Sequence, residues 1–222
     1  MITELLQPLY LEYITEEIFS QYKQRVQPRY KHPEMWRRLG EQYCGQTIAP
    51  QGNVWVWSDH HFGHKNIIGF SDRPYDDTTH MREDMIRNHN CFVENDDTCI
   101  FVGDFAFLPD KEANEILLRM KGRKILIIGN HDVSKKKLKK LRFDEIYLCA
   151  HMEADGIDFM FTHFPMRNIP EWCFNIHGHE HINHLFTDTH NHFNVNCELH
   201  DYCPVPLQDI VWKAKVRLEA KD

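Results

Sequence analysis

The sequence predicts an α/β protein, and three observations carry that expectation. From residue 53 onward, short apolar runs alternate with stretches of helical period. The runs are of the kind that forms strands buried on both faces, as in the centre of a parallel sheet. Residues 1–52 differ, with two helix candidates and no strand candidate.

In that first stretch, TEEIFSQYKQRV (15–26) spaces Ile18, Tyr22 and Val26 on one helical face, and Pro33 opens a second helix candidate, PEMWRRLGEQYC. Pro50, Gln51 and Gly52 close it with a turn signal. No chemical motif lies there, so residues 1–52 are expected to be a helical extension packed on the main domain, with partner or substrate docking as the alternative. The main domain is expected over 53–222. Val54–Trp57 is its first strand candidate, followed by a helix over 79–93 with Met81, Met85, Ile86 and His89 on one face. Cys99–Val102 predicts a strand, 110–121 a helix, Ile125–Ile128 a strand and 135–141 the start of a third helix. Ile146–Cys149 and Ile157–Phe161 read as strands, the second after an Asp155-Gly156 hairpin turn. Phe174–Ile176 and Phe193–Cys197 are shorter candidates, and 206–215 suits a helix or a strand. The order predicts parallel strands first and a more antiparallel second half, with helices outside.

Composition narrows the class. A chain of 222 residues with 42% hydrophobic and 12% aromatic content can bury a large core and is unlike a disordered one. No apolar run approaches the roughly 20 residues a membrane span needs. The first residues carry acids and no basic segment, so a cytoplasmic protein with no membrane partner is expected. The seven cysteines include no CxxC pair; Cys197-x-x-His200-x-x-Cys203 lacks a fourth ligand and reads as ordinary thiols. A formal net charge of −7 argues against a protein that coats nucleic acid. The sixteen histidines stand out, because eight of them fall between His163 and His200.

Five strand candidates end alike. Val54–Trp57 runs into Ser58-Asp59-His60-His61, Ile100–Val102 into Gly103-Asp104, and Ile125–Ile128 into Gly129-Asn130-His131-Asp132. Phe159–Phe161 runs into Thr162-His163, and Phe174–Ile176 into His177-Gly178-His179-Glu180-His181. Ligands of open α/β sheets bind outside the carboxyl ends of the strands, so these ends would gather Asp, His and Asn groups at one place. Near a strand end, residues i and i+2 project to one side. Asp59 and His61 are then co-directed, as are His179 and His181, with His60 and Glu180 facing away. Seven candidate donors, with Asp104, Asn130 and His163, exceed one four-coordinate ion and suit two ions that share a carboxylate.

The order D-x-H, G-D, G-N-H-D, H, G-H-x-H resembles the calcineurin-like metallophosphoesterase family, over residue 54 to about residue 200. SDHHFGHKNIIGFSDRPYDD looks like the opening of its small bacterial and phage members, and FNVNCELHDYCPVPLQDI like their closing strand and tail. The first 50 residues fall outside that pattern. The resemblance implies a metallophosphoesterase-type β-sandwich flanked by helices. It implies that Asp59, His61 and His181 hold one metal, that Asn130, His163 and His179 hold a second, and that Asp104 bridges them. His131 would be the catalytic histidine that contacts the phosphate or protonates the leaving oxygen, and Asp132 would orient its ring or shape the turn.

Two cations about 3.5–4 Å apart answer the chemistry of a phosphoester, since they make a water nucleophilic near neutral pH and bind the phosphoryl oxygens. The mixed nitrogen and oxygen donors put Mn²⁺ first and also fit Fe, Zn²⁺, Co²⁺ and Ni²⁺. His64, Asn66 and Arg73 are candidate pocket residues, Arg73 as a phosphate contact, with packing of the loop as the alternative for all three. His177, His184, His190, His192 and His200 read as structural, with His177 able to reach the rim. Lys135, Lys136, Lys137, Lys139 and Lys140 read as a solvated helix face, or as a guide for a nucleotide or nucleic-acid substrate. The expected activity is hydrolysis of a phosphodiester, such as a cyclic nucleotide or a nucleic-acid end, or of a phosphomonoester. The alternatives are a non-catalytic binding module and a nuclease-type processing component.

Overall fold

A computed structural model describes residues 46–132, 138–166, 169, 172–182 and 191–219. The chain is α/β, with two mostly parallel five-stranded sheets and helices. The first sheet holds β2 (Val54–Trp57), β3 (Thr98–Phe101), β4 (Arg123–Ile127) and β5 (Glu145–Tyr147) in parallel register. Its edge, β10 (Val205–Pro206), pairs antiparallel with β2. The second sheet runs in the order β1 (Gln46–Thr47), β6 (Cys149–Ala154), β7 (Ile157–Thr162), β8 (Cys173–His177), β9 (His192–Asn194).

The alternation of side chains explains how both sheets are held. Val56, Ile100, Val102, Ile125 and Ile127 of the first sheet share one apolar cluster with Phe159, Phe161, Phe174 and Ile176 of the second. The alternate residues Trp57, Phe101 and Leu126 belong to another cluster, with Met81, Met85 and Ile86 of α2 (Thr78–Phe92) and Ile116 and Leu117 of α3 (Asp110–Arg119). Each such fully buried side chain contributes about 1.5–3 kcal/mol, so these layers fix where the strand ends lie. Asp77 starts α2 by accepting hydrogen bonds from the Thr79 and His80 amides, at 2.7 and 2.8 Å.

The structure corrects several expectations. Ile146–Cys149 is not one strand: β5 ends at Tyr147 in the first sheet and β6 begins at Cys149 in the second. The chain changes sheets at Leu148, whose buried apolar side chain keeps the run unbroken in sequence. The second half is more antiparallel than the first, as expected, since β6–β7 and β10–β2 are the antiparallel pairs, although β7, β8 and β9 run parallel. Phe193–Cys197 divides into β9 and a 3₁₀ turn over Cys197–His200, because the Asn196 side chain accepts from the Glu198 amide at 3.0 Å and caps the turn. Of the two alternatives for 206–215 the helix is the one formed, as α4 (Leu207–Glu219), with Pro206 closing β10.

The periodicity gave no sign of α1 (Lys65–Phe70) or of β1, which pairs with β6 from within the stretch assigned to the extension. Expected helices before residue 46 lie outside the described residues, as do Lys135, Lys136, Lys137, His184 and His190. Of the remaining lysines in that run, Lys140 is paired with Asp110 at 3.0 Å. Among the described residues no helix is long and apolar enough to cross a membrane.

Candidate metal centre

Two groups of side chains meet where the five strands end. Asp59, His61 and His181 form one and Asp104, His163 and His179 the other, each with its ligand-type atoms within 4.8 Å of one another. Both could hold a metal ion. They adjoin through Asp104, whose Oδ2 lies 3.6 Å from His61 Nε2 in the first group and 3.4 Å from His163 Nε2 in its own. Asn130 enters the second group, its Oδ1 3.0 Å from His163 Nε2.

The backbone is bent to make this happen. Asp59, His61, Asp104, His179 and His181 all have φ between +48° and +69°, in the left-handed region that L residues seldom occupy. Strain of this kind costs of order 1–3 kcal/mol per residue and persists only where the surroundings impose it. The co-direction of Asp59 and His61 expected from strand pleating is therefore met by a different route, a kinked chain beyond the strand end. His60 does face away, packed edge-on to Trp57 and close to Phe62, Phe101 and Phe105.

Two glycines allow the approach. Gly103 has φ +89°, and a Cβ there would come within 2.3 Å of His163 Nδ1. At Gly178 a Cβ would stand 2.3 Å from both Asp59 Oδ2 and Ser58 Oγ. Any larger residue at either place would drive a ligand-type side chain off its position.

Each carboxylate has one oxygen tied and one aimed inward. Asp59 Oδ2 accepts from Ser58 Oγ at 2.6 Å and from the His179 amide at 2.9 Å. Its Oδ1 faces His61 and His181 at 3.8 Å each, beyond hydrogen-bond reach. Asp59 Oδ1 and both ring nitrogens of His61 are buried and find no hydrogen-bond partner among the described residues. Leaving such atoms unpaired costs about 1–3 kcal/mol apiece, so their presence together fits a cation-binding set. Asp104 Oδ1 accepts from the His131 amide at 2.9 Å, and its Oδ2 faces the imidazoles.

Electrostatics agree with that geometry. Burial opposes charge on Asp59, yet the imidazoles of His61, His163 and His181 outweigh it and hold the carboxyl well below its ordinary range. Asp104 is lowered too, burial being overcome chiefly by His163. Burial, chiefly, pushes His177 down to about 3 against the raising effect of the Gly178 carbonyl. The centre thus presents two ionised carboxylates to imidazole nitrogens.

Other residues singled out by the sequence fall around this core. His131 stands at its mouth, its side chain 41% exposed, with Nε2 3.9 Å from Asp104 Oδ2 and its ring 4.6 Å from that of Phe107. The Asp132 carboxylate shapes the turn, the second of the two roles expected of it: Oδ2 accepts from the amides of Asp104 and Gly129, at 2.7 and 2.9 Å, and so ties the two loops together. His64 lies at the rim, stacked on Phe107 at 4.3 Å, while Asn66 is exposed on α1. Arg73 is not at the rim. It is 4% exposed, and donates to Glu198 Oε1 from Nε and Nη2 and to the carbonyls of Asp59 and His60. His177 is likewise buried, hydrogen bonded through Nδ1 to the Gly178 carbonyl. Glu198 was missed. It accepts from His181 Nδ1 at 3.0 Å, and no motif marks it, because its partners are 17 and 125 positions away.

No family model matches the chain. It is 32% identical over 169 residues to the uncharacterized protein MJ1445 of Methanocaldococcus jannaschii, covering 71% of this chain and 89% of that protein. Its structure is similar to that of AQ665, a protein of unknown function from Aquifex aeolicus, with a TM-score of 0.60 and 29% identity over 71% of this chain and 97% of the other. The phosphoesterase Yfce from E. coli matches with a TM-score of 0.36 and 16% identity over 65% and 78% of the two chains, a likeness too slight to speak for activity. At 32% identity over most of both chains, the chain belongs to the family of the M. jannaschii protein MJ1445.

Proposed function

We propose that the chain is a dinuclear-metal phosphoesterase of the calcineurin-like kind, in which Asp59, His61 and His181 hold one divalent ion and Asn130, His163 and His179 the other. The observation that carries this reading is the place of Asp104, whose Oδ2 faces an imidazole of each group at 3.6 and 3.4 Å, as a shared ligand would. When bound, two such ions supply Lewis acidity, making a water nucleophilic and drawing charge from the phosphoryl oxygens. Mn²⁺ is the first choice, because the set mixes carboxylate and amide oxygens with imidazoles.

The chain's own residues do the rest. His131, half-exposed at the mouth, donates a proton or hydrogen bond to a phosphoryl or leaving oxygen that arrives above Asp104. Asp132 keeps the Asp104 and Gly129 loops at a fixed separation, which makes it a positioning residue. The rim favours a substrate with a flat ring: Phe107 is 40% exposed, stacked on His64 and beside His131, and a base can lie against such a surface. That supports a phosphodiester of nucleotide type over a plain monoester. The six free cysteines of the described residues suit the reducing cytoplasm.

A substrate panel with Mn²⁺ tests the reading: a chromogenic monoester, a chromogenic diester, cyclic nucleotides of both regiochemistries, and single-stranded DNA. Hydrolysis of at least one diester is expected, abolished by a chelator and restored by Mn²⁺. Protein that holds its ions and turns over none of the panel would be a binding module instead.

A further inference from the structure

The two groups are braced from behind by different chemistry. In the second, His163 Nδ1 is bonded to a neutral dipole, the Val102 carbonyl, at 2.9 Å. In the first, His181 Nδ1 meets a buried carboxylate, lying 3.0 and 3.2 Å from Glu198 Oε1 and Oε2. Glu198 is itself fixed by Arg73, whose Nε and Nη2 stand 2.8 and 2.6 Å from Oε1. The same guanidinium donates to the Asp59 carbonyl at 2.7 Å and to the His60 carbonyl at 2.8 Å. One buried ion pair therefore touches the ring of His181 and the strained backbone that carries Asp59 and His61.

We propose that Glu198 is a positioning residue for the Asp59–His61–His181 ion site, with Arg73 as the clamp that joins it to the Asp59–His61 loop. This rests on the metal reading given above. A carboxylate on Nδ1–H fixes the imidazole tautomer, aims Nε2 at the ion position and makes that nitrogen a stronger donor. Nε2 of His181 indeed points to the inward oxygen of Asp59, at 3.8 Å. Arg73 suits the clamp because its planar fork makes two bonds to the carboxylate and one to each of two carbonyls, four in all, whereas a lysine ammonium has three donors on one atom. The Val102 carbonyl orients His163 without adding charge, so Glu198 strengthens one site of the two and not the other.

Glu198→Gln separates these roles, since it keeps the size and an acceptor oxygen but removes the charge. In a Mn²⁺ titration followed by the EPR signal of the free ion, the unaltered protein should bind two ions. The variant should bind one of them about 10–100-fold more weakly and leave the other unchanged. In Zn²⁺-loaded protein, the exchange-protected Nδ1 proton of His181 should move upfield or vanish in the variant. Glu198→Asp, which keeps the charge on a shorter arm and serves if the Gln variant does not fold, should lose less affinity than Gln. Two unchanged affinities would overturn the proposal, and so would an equal loss at both sites with a lower unfolding temperature of the metal-free protein. An unaltered protein that binds no ion would instead remove the metal reading itself.

Discussion

Asp104→Asn is expected to lose at least one of the two ions and to slow phosphoester hydrolysis about 10³-fold or more, the equivalent of roughly 4 kcal/mol of Lewis-acid stabilisation. The substitution is nearly isosteric and can still accept the His131 amide that Oδ1 accepts now, so the loop has reason to keep its shape. What it removes is the negative charge facing His61 and His163 at 3.6 and 3.4 Å. Asp59, the other carboxylate of the two groups among the described residues, belongs to the first, and Asp132 accepts from the amides of Asp104 and Gly129. Metal content measured on the purified variant, beside its steady-state kinetics, checks the expectation. A variant with two tightly held ions would show that Asp104 is no bridge.

The second large effect is expected at His131, and it should have the opposite signature. His131→Ala should retain both ions and lose turnover by about 10²–10⁴, the usual range for a positioned acid or base. The distinction follows from geometry. The ring stands 5.6 Å from His61, centre to centre, and belongs to neither ligand group, while its backbone amide, which alanine keeps, supports Asp104. The loss should be greatest for substrates with poor leaving groups and smaller for nitrophenyl esters, whose leaving oxygen needs little protonation. Equal loss for both would assign His131 to phosphate contact, and loss of an ion would make it a ligand.

The strand ends could be read in sequence because a small residue followed by Asp, Asn or His has few other uses when it recurs after five apolar runs. Asp59, His61, Asp104, His163, His179 and His181 come together as that pattern anticipated. The cause was less legible. Pleating accounts for co-direction along a regular strand, whereas these side chains converge through left-handed kinks that nothing in their local sequence announces. Arg73 could not be assigned between pocket and packing for a related reason. An arginine near a phosphate site and an arginine buried under it look alike until Glu198, 125 positions later, is seen to pair with it. The change of sheet at Leu148 was hidden because one apolar residue serves equally well inside a strand and between two.

The proposed function requires two adjacent ion sites, one held by Asp59, His61 and His181 and the other by Asp104, Asn130, His163 and His179. The most direct measurement is the metal content of the unaltered protein, stripped with a chelator, reconstituted with Mn²⁺ and freed of excess ion. The proposed function predicts about two ions per chain, as a dinuclear site requires. A reconstituted protein that retains none would contradict it.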